Sequence, residues 1–168
     1  IYMYARQPAF IEKSAELLSY VQKVNFGPDF NPFSVFHFWQ EFRCNKMDVL
    51  VVNTSKDLST AGMAAKLLGI PVVQRIGNPN DMKAKAKIRW LHNYIDPYFL
   101  FPSQFIADNF AKVLPWVRAE KMKGVLYGKV PSDATLAAHT PRALVMKQQL
   151  VQHKDHKTAL KALAELKD

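Results

Sequence analysis

DVLVVNTSKDLSTAGMAAKLLGIPVVQR, running from Asp48 to Arg75, contains a complete strand–helix–strand unit. It opens with Asp48-Val49-Leu50-Val51-Val52, a continuous apolar and β-branched run that predicts a strand buried on both faces, as in a parallel sheet. Asn53-Thr54-Ser55-Lys56-Asp57 then turns the chain with polar groups. Leu58, Ala61, Ala65 and Leu68 recur at helical spacing. Ala61, Gly62, Ala64 and Ala65 are small, so the helix that carries them can lie close on a sheet. Gly69 is placed to end it in a left-handed conformation. Pro71-Val72-Val73-Gln74 predicts the next strand. A parallel pair joined through a helix is a βαβ unit. In open α/β sheets ligands bind beyond the carboxyl ends of the strands. That rule points to residues 53–56 and 75–78.

Upstream, Ile1-Tyr2-Met3-Tyr4-Ala5 reads as a strand from its β-formers. Pro8 can begin a helix that continues to about residue 20, with Phe10, Ser14, Leu17 and Leu18 on one side. Residues 21–26 form a weaker strand. Gly27-Pro28-Asp29-Phe30-Asn31-Pro32 is a loop. Residues 33–46 predict a helix whose apolar face carries Phe36, Trp39 and Phe42, as core residues.

Downstream, Asp81 can cap a helix over 82–95 with Ala84, Ile88, Leu91 and Ile95 as its stripe. Lys83, Lys85, Lys87 and Arg89 decorate the remainder, and Trp90 falls off the stripe among these cations. Tyr98-Phe99-Leu100-Phe101 is a buried-type strand. Ser103 caps a helix in which Ile106, Phe110 and Val113 face inward. Residues 123–127 are a short strand and 128–141 a linker. A strand over 142–147 and a helix over 158–167 follow. The alternation of strand and helix predicts an α/β fold: a doubly wound, mostly parallel Rossmann-like sheet with helices on both faces.

The 168 residues carry 23 Lys and Arg against 14 Asp and Glu, a formal charge of +9. Such a balance suits nucleic acid, anionic lipid or phosphorylated substrates, and an ordinary solvated basic surface as well. Cys44 is the one cysteine, which excludes an internal disulfide and points to a reducing compartment. No apolar run approaches the roughly 20 residues needed to span a bilayer. The chain starts at Ile1, which predicts processing upstream.

Several motifs are absent from the sequence. There is no Gly-x-Gly-x-x-Gly after a strand, no Walker loop and no Gly-x-Ser-x-Gly elbow. His139, His153 and His156 lack the cysteines or carboxylates that would complete a metal site, so 153–156 reads as a loop entering a helix. Basic residues do not interleave with aromatics on strands as in an RNA-binding sheet.

From Asp48 onward the chain resembles glycosyltransferase family 4, enzymes of the GT-B fold. Asp48-Val49-Leu50-Val51-Val52-Asn53-Thr54-Ser55-Lys56 is similar to the family's "DVVxxxSSK" strand. Ala64-Ala65-Lys66-Leu67-Leu68-Gly69-Ile70-Pro71-Val72-Val73 is similar to "AxLLGIPVV". Tyr98-Phe99-Leu100-Phe101-Pro102-Ser103-Gln104-Phe105-Ile106 resembles its hydrophobic-PS-x-FI strand and helix. Glu120-Lys121-Met122-Lys123-Gly124-Val125-Leu126-Tyr127 resembles "EKI-x-VIYNG". Gln149-Leu150-Val151-Gln152-His153-Lys154-Asp155-His156 resembles the "GRLVxxKGHD" start of the donor-binding domain. There are departures. Ile76 stands where a His is common, and Gly128-Lys129 stands near the closing Asn-Gly. Gln148-Gln149 replaces Gly-Arg. The family's glycine-rich first loop and its Glu-x7-Glu motif are not in this sequence.

The resemblance implies a truncated GT-B amino-terminal half. Residues 1–130 would be the acceptor-side Rossmann-like domain without its first strand, and 131–168 the linker and first strand–helix unit of the donor domain. It implies a piece of a retaining transferase, inactive alone, that moves sugar from a nucleotide-sugar to a cell-envelope glycan or glycolipid such as lipopolysaccharide. No cofactor and no metal are expected, and no catalytic acid or base is named. Asn53, Ser55, Lys56, Arg75 and Asn78 would bind acceptor, with amides and hydroxyls on sugar and cations on phosphate or carboxylate. The alternative for each is a loop residue capping the following helix, a reading that suits Asn53, Ser55 and Asn78 better than Arg75. Lys154 would meet donor phosphate. The partners implied are nucleotide-sugar, glycan acceptor and an anionic membrane surface, with no nucleic acid. The location implied is the cytoplasm, including the inner face of the membrane. The alternative is a non-catalytic module binding carbohydrate or an anionic surface.

Overall fold

The structure is a computed structural model that describes residues 1–18, 20–24, 27–78, 82–125 and 156–165. The strand expected over 142–147, the linker over 128–141, Asp81, His139, His153 and Lys154 lie outside those residues. The chain divides into two compact units, Ile1–Lys129 and Val130–Asp168, each described by itself.

In the first unit β1 (Tyr2–Ala5) pairs in parallel with β2 (Tyr20–Lys23), and α1 (Pro8–Ala15) connects them. The helix α2 (Pro32–Cys44) starts where the Asn31 side-chain oxygen accepts from the Phe33 amide and Pro32 presets the first turn. Four more strands follow: β3 (Leu50–Val52), β4 (Val72–Arg75), β5 (Tyr98–Phe101) and β6 (Met122–Gly124). They form an all-parallel sheet in the order β3-β4-β5-β6, flanked by helices. This is the Rossmann-like, doubly wound α/β arrangement that the alternating pattern predicts.

Between β3 and β4 the chain makes one helical run in three parts. These are α3 (Ser55–Asp57), a wide turn over Leu58–Gly62 and α4 (Met63–Leu67). Thr54 and Asp57 close its start as a reciprocal cap. The Asp57 amide donates to Thr54 Oγ1 at 3.2 Å and the Thr54 amide to Asp57 Oδ2 at 3.1 Å. The wide turn has a local cause. Ser59 and Thr60 donate their hydroxyls back to the Lys56 carbonyl at 2.9 and 3.1 Å, competing with the amide that would bond there in a regular helix. Leu58, Ala61, Ala64 and Ala65 are buried against Val52, Val72, Leu91 and Ile95. At Gly62 an added Cβ would lie 2.9 Å from Leu58 Cδ1, so the small residues do set a close approach. Gly69 ends the run at φ +72°.

After β4, α5 (Ala86–Ile95) and α6 (Gln104–Val113) complete the crossovers. A second core gathers Ile76, Met82, Ile88, Phe99, Phe101, Ala107, Phe110 and Leu114. Ser103 accepts from the Ile106 amide as the predicted cap of α6, at 3.4 Å. In the second unit α7 (His156–Glu165) is described.

Five details differ from expectation. The run 48–52 is not buried on both faces: Val52 is buried, but Val51 is 56% exposed, because β3 is an edge strand with an open second face. In α2 the buried stripe is Ser34, Phe38 and Phe42, spaced i, i+4, i+8. Phe36 is 56% exposed and stacks on a half-buried Trp39. The sequence holds two interleaved aromatic stripes, and helical spacing alone cannot choose between them. Leu17 is 85% exposed, since α1 stops at Ala15. The helix expected over 82–95 starts at Ala86: Lys83, Ala84 and Lys85 lead in without helical structure, with Lys85 extended at φ −108°, ψ 145°. In α6, Ala107 rather than Val113 joins Phe110 in the core, and Val113 is exposed.

Candidate functional site

The carboxyl ends of β1, β3 and β4 carry Arg6, Asn53 to Lys56, and Arg75 to Asn78. β3 and β4 run parallel in one sheet, so their last residues emerge along one edge, where the chain must turn and can offer polar side chains. Arg6 follows β1 of the separate two-stranded sheet and meets that edge through Asp57. The Arg75 guanidinium donates to Asn53 Oδ1 at 3.5 Å, tying the end of β4 to the end of β3. Lys56 is half-buried in the first turn of the helical run. Arg6 reaches across from β1 to Asp57 at 3.1 Å. Three cationic side chains thus stand together, Arg75 oriented by Asn53 at the end of β3 and Arg6 by Asp57 in α3.

Ser55 is already engaged. Its hydroxyl donates to Met82 Sδ at 3.3 Å. Asn78 is half-buried in the turn after β4. Of the five residues that sequence reasoning placed here, Asn53, Lys56 and Arg75 share the edge, while Ser55 serves packing. Lys154 lies outside the described residues.

Sequence reasoning missed Arg6, Asp57, Asp29 and Lys87. Lys87 pairs with Asp29, and Ser59 donates to the same carboxylate at 3.0 Å. The hydrogen bond from Lys87 foremost, helped by Ser59 and the charge of Lys56, holds the Asp29 carboxyl below its ordinary range against the opposing effect of burial. The Arg6–Asp57 pair joins residues 51 apart in sequence, and such a pair has no local signature. The carboxyl-end rule applied to β1 would have found Arg6. Among the described residues no three His, Cys, Asp or Glu side chains gather as a metal ion would need. No helix among them is long and apolar enough to cross a membrane.

Comparison with known proteins returned two curated relatives, both named "Probable endonuclease LCL3", from Candida albicans strains WO-1 and SC5314. Each is 25% identical over 123 residues, covering 70% of this chain and 50% of the relative. The chain therefore spans about half the length of the curated relatives it matches. No protein-family model matches it, and no solved structure does. These findings correct the functional expectation. The relatives carry an endonuclease's name, and nothing found points to sugar transfer, a nucleotide-sugar donor or lipopolysaccharide. The pieces that suggested sugar transfer are largely fold-bearing: a strand, a small-residue helix, a left-handed glycine and a capped helix. Those features follow from building a parallel sheet, whatever chemistry is attached to it.

Proposed function

We propose that the unit Ile1–Lys129 binds the phosphate backbone of nucleic acid along the carboxyl edge of its sheet, as the binding part of an enzyme acting on nucleic acid. The observation that carries this reading is the placement of Arg75 at the end of β4 and Lys56 in the first turn after β3, with Arg6 brought beside them by its pair with Asp57. Guanidinium and ammonium groups suit phosphate oxygens, and fixed donors lose less freedom on binding than loose ones. The formal charge of +9 favours a polyanion by long-range attraction. The relatives' printed name supplies the ligand class. It departs from the expectation of no nucleic-acid partner, which followed from the resemblance to sugar transferases.

The test is binding to a labelled single-stranded oligonucleotide over a salt series. Affinity should fall linearly in log–log form as phosphate contacts release counterions. Lys56→Gln and Arg75→Gln should each reduce the slope by about one, alike for different sequences. Lys112→Gln, on the exposed side of α6, should leave it unchanged. If the Lys56 and Arg75 variants matched the parent while Lys112→Gln did not, the edge would not be the contact.

A further inference from the structure

A second polar depression lies at the opposite, amino-terminal end of the same sheet. It has a volume of about 500 Å³ and is lined by Lys66, His92, Asp96, Trp116, Arg118 and Lys121, among others. That size suits a small molecule. His92 is 5% exposed, and neither of its ring nitrogens has a partner among the described residues. Trp116 Nε1 has none either. Buried donors and acceptors without partners are costly, and each such group in a folded protein calls for an explanation. The surroundings do not supply one. The His92 ring meets the Phe99 ring at 4.9 Å, and the Arg89 guanidinium lies over the Trp116 ring at 5.7 Å. Both contacts fix ring orientation and leave the ring nitrogens unsatisfied.

The charged groups are held in place. Asp96 ends α5 in a left-handed conformation at φ 56°, which turns the chain toward β5. Arg118 donates to both Asp96 oxygens at 2.9 and 3.0 Å, and Lys121 Nζ lies 3.0 Å from Asp96 Oδ2. Glu120, beside the depression, also pairs with Arg118, at 3.0 Å. The lining cations Lys66, Arg118 and Lys121 still outnumber the two carboxylates. Burial holds His92 neutral, at about 4 against its ordinary 6.5, so one nitrogen donates and the other accepts.

The inventory specifies the ligand. Donors are numerous: Trp116 Nε1, one His92 nitrogen and three cations. Acceptors are fewer: the other His92 nitrogen, the Asn93 side-chain oxygen, Asp96 and, beside it, Glu120. A carboxylate offers oxygens without a proton to give. A monohydrogen phosphate or phosphomonoester offers several oxygens and one O–H. We propose that this depression is a binding site for a phosphoryl group, held by Arg118, Lys121 and Trp116 Nε1, with its O–H donated to His92 or Asp96. This site is separate from the carboxyl edge and does not depend on it.

The test is residue-resolved. In nitrogen-labelled protein, Trp39, Trp90 and Trp116 each give an indole N–H resonance, and inorganic phosphate, glycerol 1-phosphate and acetate are titrated in turn at matched ionic strength. The Trp116 resonance should shift saturably with both phosphates, while acetate has no saturable effect. A tighter midpoint for glycerol 1-phosphate assigns a phosphomonoester, and an equal one assigns inorganic phosphate. Arg118→Gln should weaken the midpoint tenfold or more, with unchanged Trp39 and Trp90 resonances showing that the fold persists. Trp116→Phe, followed by equilibrium dialysis of labelled phosphate, should weaken binding several-fold and covers the case of an unfolded Arg118 variant. No saturable Trp116 shift, an equal response to acetate, or unchanged affinity in the variants would overturn the assignment.

Discussion

The two ends of one sheet solve different problems with similar residues. At the carboxyl edge the cations pair with neighbours near the surface: Arg6 with Asp57 and Arg75 with Asn53. At the amino end Arg118 and Lys121 converge on one carboxylate beside a buried imidazole and an indole N–H without partners. The first is open and suits an extended polyanion. The second is a concave depression and suits one compact group. Charge alone does not separate them; burial and unpaired donors do.

The largest expected effect concerns what supports the carboxyl edge. Leu58 is fully buried in the wide turn directly after the Thr54–Asp57 cap. Leu58→Ala should cost about 2–5 kcal/mol by chemical denaturation, from lost burial plus the cavity left behind. A cost under 1 kcal/mol would mean that the wide turn is not the anchor of that edge.

Acid should strike the amino end first. The folded-state pKa of His92 is depressed to about 4 by burial, below the ordinary 6.5. The unfolded chain therefore binds more protons between those values. The stability this contributes is present above pH 6.5 and is lost as pH falls toward 4. At about 1.4 kcal/mol per pKa unit the loss approaches roughly 3 kcal/mol. Asp29 and Asp96 are depressed carboxylates, so their contributions fade at lower pH. His92→Phe should flatten the stability profile between pH 6.5 and 4. A profile that kept its slope in that variant would place the titrating group elsewhere.

Gln74 lies within β4, between the two ends. It is fully buried, and its side-chain oxygen and nitrogen have no partner among the described residues. Replacing an unpaired buried amide with an apolar chain of similar length removes a desolvation cost. Gln74→Met should raise stability by about 1–2 kcal/mol. A destabilised variant would show that the amide has a partner, and that the orphaned groups at the amino end are not a special feature.

How much of this was legible in the sequence follows from the range of each interaction. The βαβ unit, Gly69 and the Ser103 cap were readable because each is fixed by residues within a turn or two of one another. The exposed face of β3 was not, because Val51 and Val52 are chemically alike and only what packs on each face of the strand distinguishes them. The aromatic stripe of α2 was misread for a related reason: two stripes fit the helical period, and only the packing of Phe38 and Phe42 selects one. At the carboxyl edge the rule for parallel sheets found Asn53, Lys56 and Arg75, but it could not see Ser55 turning toward Met82, 27 residues away. The amino-end depression left no sequence signal, since Lys66, His92 with Asp96, and Trp116 with Arg118 come from three separate segments.

A smaller effect tests the cap itself. Thr54→Ala removes the oxygen that accepts the Asp57 amide and should cost about 1 kcal/mol. It should also loosen Asp57 and with it Arg6. Oligonucleotide affinity should then fall modestly, with no change in the phosphate response of Trp116. Coupled losses at both ends would instead show that the edges are not independent.

The central claim is that the carboxyl edge contacts a phosphate backbone, and backbone-amide mapping tests it most directly. A single-stranded oligonucleotide is titrated into nitrogen-labelled protein at low salt. The account predicts that the largest changes fall on Arg6, Asn53 to Lys56 and Arg75 to Asn78, and that they vanish in a Lys56→Gln, Arg75→Gln double variant. Changes centred on α6 or on the Trp116 depression, with the carboxyl edge silent, would contradict it.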